Sequence, residues 1–381
     1  VVAHGADGVS ANAVAAARAA ATVSSTAADV AAAAKAAKKA GEDNATAAAL
    51  QIDDEPCAVM LSATGLIART SVDAVERWEN RSASADRAKD NQIVSMFRTS
   101  TRSSYGLITS AGRLVLAHVV ELPKVSSENV ISAAGGVKAE ELLGMTENTD
   151  PVRGERVVAA VAMPSPDDDG QPAPLALGTH NGVVKRWNRE SPTTMDSWSV
   201  IDLKDGDAVI AAAEARDNDR LVFVSTDSSL LTFEAKNVRP QGRTAGGMAG
   251  IRLADGCTVA AFAVVPADKV AWNYEEGENG LFSASGAVVL TVAGDSKALP
   301  GTENGSAKIT PLEMYPTKGR GTGGVRSQRF LKGQDTLILA FVGAYPVHAS
   351  TSSGTDVELP KPDMRRDGSG TELSAPIAVA G

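Results

Sequence analysis

The stretch that decides the fold is Leu175-Ala-Leu-Gly-Thr-His-Asn-Gly-Val-Val-Lys-Arg186, in which two short apolar runs flank the turn Thr179-His180-Asn181-Gly182. An Asn-Gly pair readily adopts the positive φ angles of a tight turn, and the flanking runs have the length of β-strands. The stretch therefore predicts a β-hairpin.

The same pattern recurs along the chain from residue 51 onward. The other tips are Ser62-Ala-Thr-Gly65, Ser110-Ala-Gly112, Ser225-Thr-Asp-Ser228, Thr302-Glu-Asn-Gly305 and, less clearly, Ser352-Ser-Gly354. Their turn residues fall at 65, 112, 182, 228, 305 and 354, a repeat of roughly 45 to 75 residues with insertions. This period predicts an all-β fold built from the blades of a closed, radial architecture.

Composition agrees with a large β domain. The 381 residues are 43% hydrophobic but only 4% aromatic, so Val, Leu, Ile and Ala must form most of the core. No stretch approaches the roughly 20 apolar residues of a membrane span, and the start of the chain does not resemble an export signal, which predicts a cytoplasmic protein. Because the chain begins with Val1 instead of Met, we expect it to be a fragment of a longer protein.

Residues 1–50 differ from the rest of the chain. Ala dominates this segment, Leu, Ile and aromatic residues are almost absent, and four basic residues balance four acidic ones. Helix propensity is high and the capacity to form a core is low. The sequence therefore predicts three parts: an Ala-rich helical or disordered segment at 1–50, a β domain at 51–375 and a C-terminal tail at 376–381.

Two segments share a second motif, G-R-x-x-G-G-x-x-x-x-R followed by an apolar residue. One runs from Gly242 to Leu253 and the other from Gly319 to Phe330, and each begins 14 residues after its hairpin tip. We expect these two segments to be equivalent loops on equivalent blades.

Both loops are basic in a chain whose net charge is −9. Residues 236–252 carry +4 and residues 318–332 carry +5, and neither segment contains an acidic residue. Gly-rich backbone allows close approach to a phosphate, and Arg donates a forked, permanently charged set of hydrogen bonds. Such loops could bind the DNA backbone without reading bases. Alternatively, the glycines serve turns between blades and the arginines are only solvated.

The residues also resemble a known family, the C-terminal domains of bacterial type IIA topoisomerase A subunits, which comprises the A subunit of DNA gyrase and its topoisomerase IV counterpart. The resemblance covers roughly residues 52–372 and rests on several motifs in order: Leu61–Thr70, Thr109–Arg113, Leu177–Arg186, Val238–Leu253 and Tyr315–Arg326. It implies a β-pinwheel, a propeller-like disc of about six blades that exchange strands, whose basic rim binds and bends double-stranded DNA.

One departure from the family bears on function. Gyrase-type members carry a Gln-Arg-Arg-Gly-Gly-Lys/Arg-Gly box on the first blade, and the corresponding stretch here, Arg77 to Lys89, has no such run. Because that box is associated with DNA wrapping, its absence favours a topoisomerase IV-like role in decatenation and relaxation. Arg77, Arg81, Arg87 and Lys89 could still make a weak first-blade contact.

Catalysis is assigned by the resemblance to other parts of the parent enzyme. The four tyrosines of this chain lack the winged-helix context of the family's nucleophile, so we expect a non-catalytic part of an ATP-hydrolysing topoisomerase. No cofactor is expected in this chain, since ATP and Mg²⁺ belong to the parent's other parts. The expected partners are DNA, the ATPase subunit and the catalytic core of the same subunit, near the bacterial nucleoid.

The candidate DNA-binding residues lie on one hairpin strand and on the two motif loops. They are Lys185, Arg186, Arg239, Arg243, Arg252, Lys318, Arg320, Arg326 and Arg329. We expect Arg243 and Arg320 to bind most strongly, because both stand next to glycines in equivalent loops. The alternative function is a propeller-type protein-interaction scaffold whose basic loops bind an acidic partner.

Overall fold

The computed structural model describes residues 53–79, 89–126, 131–144, 154–164, 172–192, 194–276 and 282–381. The Ala-rich segment predicted at 1–50 lies outside these residues. In chain order the strands are β1 (Pro56–Ser62), β2 (Leu66–Ser71), β3 (Ile93–Ser100), β4 (Ser104–Thr109), β5 (Arg113–His118), β6 (Val137–Lys138), β7 (Val157–Ala162), β8 (Leu175–Thr179), β9 (Val183–Trp187), β10 (Ser197–Ser199), β11 (Val209–Glu214), β12 (Arg220–Ser225), β13 (Ser229–Glu234), β14 (Pro240–Gln241), β15 (Met248–Ala249), β16 (Val259–Val265), β17 (Asn273–Glu276), β18 (Phe282–Ser285), β19 (Ala287–Gly294), β20 (Ser306–Pro311), β21 (Val325–Arg326), β22 (Thr336–Ala344), β23 (Ala349–Ser350), β24 (Thr371–Glu372) and β25 (Val379–Ala380). Two short helices, α1 (Val72–Glu79) and α2 (Ala139–Leu143), accompany them.

Five sheets, here called blades 1 to 5, repeat one topology. Their strand orders are β3-β1-β2-β6, β7-β4-β5-β10, β11-β8-β9-β14, β16-β12-β13-β21 and β22-β19-β20-β24, with β15 also paired to β9 in blade 3. In each blade a hairpin forms the middle, its first strand pairs with an inner strand, its second strand pairs with an outer strand, and both added strands come from later in the chain than the hairpin. In blades 1 to 4 that outer strand follows the hairpin of the next blade. This exchange of strands confirms the predicted all-β pinwheel.

Five of the six predicted hairpin tips connect the two middle strands of a blade, whereas the less clear one, at residues 352–354, follows β23. Their turn residues adopt positive φ angles, +80° at Gly65, +75° at Gly112, +83° at Gly182, +70° at Ser228 and +72° at Gly305. Left-handed backbone suits Gly and is costly for most other residues. Ser228 adopts it while its Oγ donates to Gln328 O at 2.8 Å, so the hydroxyl fastens this tip to the outer edge of its own blade.

The middle strands are buried on both faces, and in blades 2 to 4 this is because each blade packs between two others. On β12, Leu221 and Phe223 pack with residues of blade 3, whereas Val222 and Val224 pack with residues of blade 5. All four side chains are fully buried. A strand covered on both faces has no polar face, which explains why the sequence shows apolar runs where a half-exposed strand would alternate.

The chain ends in a short two-stranded sheet beyond blade 5. β23 pairs with β25, and Ala349 packs with Val288 and Leu290 of blade 5. On its other side, Gln92 Nε2 donates to Ser350 Oγ at 3.4 Å, which connects the sheet to the segment leading into β3 of blade 1. The described residues therefore form five complete blades and two two-stranded sheets, β17-β18 and β23-β25, where about six blades were expected.

The predicted C-terminal tail, residues 376–381, is part of the fold. It contributes β25, and Ile377 and Ala380 pack against the last hydrophobic cluster. The sequence division at 375 is therefore corrected, because burial of these apolar side chains holds the terminus in place. No helix within the described ranges is long and apolar enough to cross a membrane.

Candidate nucleic-acid interface

The two motif loops form the outer edges of blades 3 and 4. The first supplies β14 and β15, which pair with β9, and the second supplies β21, which pairs with β13. The second glycine of each Gly-Gly pair precedes the exchanged strand in left-handed backbone, at φ +81° for Gly247 and +74° for Gly324. A Cβ on Gly324 would lie 2.3 Å from Leu230 O, so only glycine lets the loop come this close to the hairpin.

The two loops also contact each other directly. Gly321 N donates to Gly250 O at 2.7 Å, and Arg252 N donates to Thr322 O at 3.0 Å. Backbone bonds of this kind place the end of the first loop against the start of the second. The equivalence predicted from the shared motif is thus seen in the fold, and the loops make one continuous surface.

Five of the nine candidate residues are exposed on this surface. They are Arg239, Arg252, Lys318, Arg326 and Arg329. Arg243 is half-buried. Lys318 Nζ donates to Gly324 O at 3.3 Å. Among the described residues, the guanidinium groups of the four exposed arginines and of Arg243 have no hydrogen-bond or ion-pair partner, so their donors are available to a ligand.

Arg320 differs from Arg243, although the sequence ranked the two together. Its Nη1 donates to Ala249 O at 2.7 Å, and its Nε donates to Asn237 O at 3.3 Å. Part of the guanidinium is therefore engaged in joining the second loop to the first. Its remaining N–H groups are the ones left for a ligand.

Lys185 is buried, although the sequence predicted that it contacts DNA directly. Its side chain is fully buried, and Nζ donates to Arg243 O at 3.0 Å and to Ala245 O at 2.7 Å. The structure therefore corrects its assignment as a direct DNA contact, because a buried ammonium that is bonded to loop carbonyls does not reach a phosphate. Lys185 instead holds the first motif loop against β9.

Arg186 is corrected for the same reason. It is 2% exposed, and its guanidinium donates to the carbonyls of Ala235, Val238 and Ala215 at 3.0 to 3.2 Å and to Asp217 Oδ1 at 2.8 Å. These bonds fasten blade 3 to the turns that precede and follow the hairpin of blade 4. A two-residue run of basic side chains on a strand gave no signal of burial, since both residue types are usually exposed.

Lys308 is a second buried lysine, which was not among the residues predicted from the sequence. It follows its turn glycine by three residues, as Lys185 does, and its Nζ donates to Ser327 O at 3.1 Å and to Arg366 O at 3.0 Å. Burial lowers the pKa of both lysines to about 8, and nearby carboxylates, Asp202 for Lys185 and Asp363 for Lys308, oppose that shift. The shared spacing from the hairpin tip is the signal that could have found it.

The first-blade contact predicted near residues 77–89 falls largely outside the described residues. Arg77 is exposed near the end of α1. Arg81, Arg87 and the side chain of Lys89 are not among the residues that the structure describes, so the contact stays a prediction.

Replacing Lys185 by Met should loosen the first motif loop. The carbonyls of Arg243 and Ala245 would lose a partner, at a cost of about 1–3 kcal/mol, so we expect amide hydrogen exchange over residues 242–247 to accelerate by about tenfold or more. Leu231→Met, at the same place on β13, is the matched control and should leave exchange in this loop unchanged. Equal exchange in wild type and Lys185→Met would contradict the assigned role.

The depressed pKa of Lys185 also predicts a pH dependence. Between about pH 8, the pKa of the buried ammonium, and its ordinary value of 10.5, the unfolded chain binds more protons than the folded one. The free energy of unfolding therefore rises with pH in this window. Urea unfolding at pH 7.5 and 9.5 should show wild type gaining stability relative to Lys185→Met, and a relative loss at the higher pH would refute the burial of a charged ammonium.

Comparisons with known proteins agree with this architecture. The family model described as "DNA gyrase C-terminal domain, beta-propeller" matches residues 219–266, which contain the hairpin and inner strand of blade 4, and residues 301–343, which contain β20, β21 and most of β22. The DNA gyrase A subunit of Mycolicibacterium smegmatis is 25% identical over 328 residues, covering 84% of this chain and 34% of that protein. The DNA gyrase A subunit of Helicobacter pylori is 27% identical over 295 residues, covering 75% of this chain and 31% of that protein.

A solved structure shares the fold. The crystal structure of the C-terminal domain of DNA topoisomerase IV aligns with a TM-score of 0.61 at 16% identity, covering 87% of this chain and 94% of that one. The chain spans about a third of the length of the curated relatives it matches. In its strand exchange, its sequence matches and the fold of its structural neighbour, the chain is similar to the C-terminal domains of bacterial type IIA topoisomerase A subunits, the DNA gyrase A and topoisomerase IV group.

Proposed function

We propose that this chain is the DNA-binding and DNA-bending domain of a type IIA topoisomerase A subunit. The observation that carries the proposal is the surface made by the two motif loops. The two segments that form it, residues 236–252 and 318–332, contain nine basic residues and no acidic one, the loops are bonded to each other, and their arginines are largely unpaired. Unpaired arginines beside close-approaching glycine backbone suit the phosphates of duplex DNA.

The position of the loops accounts for bending. Both lie on the outer edges of consecutive blades, and consecutive blades of a disc face in different directions. A duplex that contacts both loops must follow the curved edge, and the extra phosphate contacts offset the cost of bending. Base edges have no dedicated reader in this arrangement, so affinity should depend on salt and vary little with sequence.

We further propose a topoisomerase IV-like parent, which decatenates and relaxes DNA. The absence of the gyrase-type box between Arg77 and Lys89 supports this assignment. On this proposal the chain works in the bacterial cytoplasm beside the ATPase subunit and the catalytic core of its own subunit. It is non-catalytic and needs no cofactor, and ATP and Mg²⁺ act in other parts of the enzyme.

Neutralising two exposed loop arginines should weaken DNA binding. In Arg252→Gln/Arg329→Gln, we expect affinity for a labelled linear duplex to fall about tenfold or more at low salt, and the slope of log K against log salt to decrease by about 0.9 for each lost phosphate contact. Fluorescence anisotropy across a salt series measures both quantities. Lys204→Gln/Lys297→Gln removes the same charge from exposed turns outside the loops and should retain the wild-type slope.

The comparison of these two double variants tests the proposal. If Arg252→Gln/Arg329→Gln and Lys204→Gln/Lys297→Gln bind the duplex with equal affinity and equal salt slope, the motif loops are not the DNA-binding surface. A wild-type chain that does not bind the duplex at all would overturn the proposed function itself.

DNA topology separates a bending domain from a wrapping domain. Nicked circular DNA sealed by ligase in the presence of the chain should shift by less than one linking number per bound chain, since a topoisomerase IV-like disc bends the duplex without completing a wrap. Gel analysis of the sealed topoisomers gives the shift. A change of a full turn or more for each bound chain would indicate gyrase-like wrapping.

A further inference from the structure

The outer-edge segment of blade 5, residues 361–372, occupies the same place as the two motif loops. It supplies β24, which pairs with β20 as β15 pairs with β9 and β21 with β13. Gly370 stands immediately before β24, and a Cβ on it would lie 2.8 Å from Ser306 O, the close approach already seen at Gly324. Its sequence, Lys-Pro-Asp-Met-Arg-Arg-Asp-Gly-Ser-Gly-Thr-Glu, lacks the Gly-Arg motif, which is why sequence alone did not group the three.

The turn within this segment fixes its register. Gly368 N donates to Arg365 O at 3.3 Å, and the first motif loop has the same bond from Ala245 N to Gly242 O at 3.3 Å. The residue that follows the accepting carbonyl is Arg243 in the first loop and Arg366 in blade 5. Arg366 also precedes its glycine, Gly370, by four residues, as Arg243 precedes Gly247.

The buried lysines give a second, independent measure of the same register. Lys185 Nζ donates to Arg243 O at 3.0 Å, and Lys308 Nζ donates to Arg366 O at 3.0 Å. Each lysine lies on the second hairpin strand of its own blade. The same contact therefore positions the backbone of both arginines against β9 and β20.

Adjacent arginines in blade 5 differ in their electrostatic surroundings. Arg365 forms an ion pair with Asp363, in which Nε and Nη2 donate to Oδ1 and Oδ2 at 3.2 Å. Arg366 has no side-chain hydrogen bond or ion pair within the described part of the chain. The charge left for a ligand is thus that of Arg366, in the presence of the exposed Asp367 on its other side.

The contact between blades 4 and 5 continues the surface. Arg329 N donates to Gly368 O at 3.0 Å, as Arg252 N donates to Thr322 O at 3.0 Å one blade earlier. The same bond between blades 2 and 3 runs from Asp202 N to Ala245 O at 3.2 Å. The residue whose N–H makes this bond is therefore the acidic Asp202 between blades 2 and 3, and it is an arginine, Arg252 or Arg329, at the next two contacts.

We propose that Arg366 is a third phosphate-contacting arginine, in register with Arg243 and Arg320, and that the DNA track extends from blade 3 to blade 5. This inference rests on the proposed function and adds the extent and direction of the track. In blade 1 the corresponding register position is Ser132, and the acidic Asp202 borders the track at blade 3.

The test compares two neighbouring residues in the full chain. Arg366→Gln should reduce affinity for the labelled linear duplex several-fold and lower the salt slope by about one, as expected for one lost phosphate contact. Arg365→Gln is the matched control, with the same change of formal charge one residue away, and should retain the wild-type slope. The backbone carbonyl that Lys308 binds is present in both variants, so both should melt like wild type, which circular dichroism checks.

Each outcome bears on the inference separately from the proposed function. Equal losses of DNA affinity in the two variants would mean that Arg366 acts only through the overall positive charge of the outer edge, which overturns its assignment as a phosphate contact. Loss of binding in Arg252→Gln/Arg329→Gln with an unchanged Arg366→Gln would restrict the track to blades 3 and 4. If none of these variants alters binding, the failure belongs to the proposed function.

Discussion

An uncovered strand edge is the constraint on which the rest of this structure depends. The second strand of each hairpin has a free edge whose backbone N–H and C=O groups need partners, and an open edge invites pairing with other chains. Here a segment from later in the chain covers that edge, as β6 covers β2 and β21 covers β13. The covering segment must cross from one blade to another, so its loop lies on the rim. The candidate interface is therefore a consequence of how the sheet edges are closed.

Burial divides the basic residues into two roles. Taking a cation out of water is costly unless hydrogen bonds replace its hydration, and Lys185, Arg186 and Lys308 obtain those bonds from loop and turn carbonyls. These residues hold the loops in place, and the exposed arginines present their charge. The same residue types thus either hold loops in place or present hydrogen-bond donors at the surface, depending on whether the side chain is buried.

Charge along the rim explains how an acidic chain can offer a site to a polyanion. The net charge of −9 belongs to the chain as a whole, while the two motif loops contain no acid. Asp202 lies beside the first motif loop, and Asp363 neutralises Arg365 in blade 5. On the proposed function, acidic positions beside this surface would confine a bound duplex to a narrow path, since interactions between exposed charges are largely screened beyond about 10 Å at ordinary salt.

The sequence by itself determined the hairpin tips, the number of complete repeats to within one, and the equivalence of the loops at Gly242 and Gly319. These depend on local chemistry, namely turn residues that tolerate positive φ and apolar runs of strand length. Only the tertiary structure decided that Lys185 and Arg186 are buried, that residues 376–381 complete the last sheet, and that Arg366 shares the register of Arg243. Those facts depend on strand pairing and side-chain depth between segments far apart in the chain, and no local pattern records them.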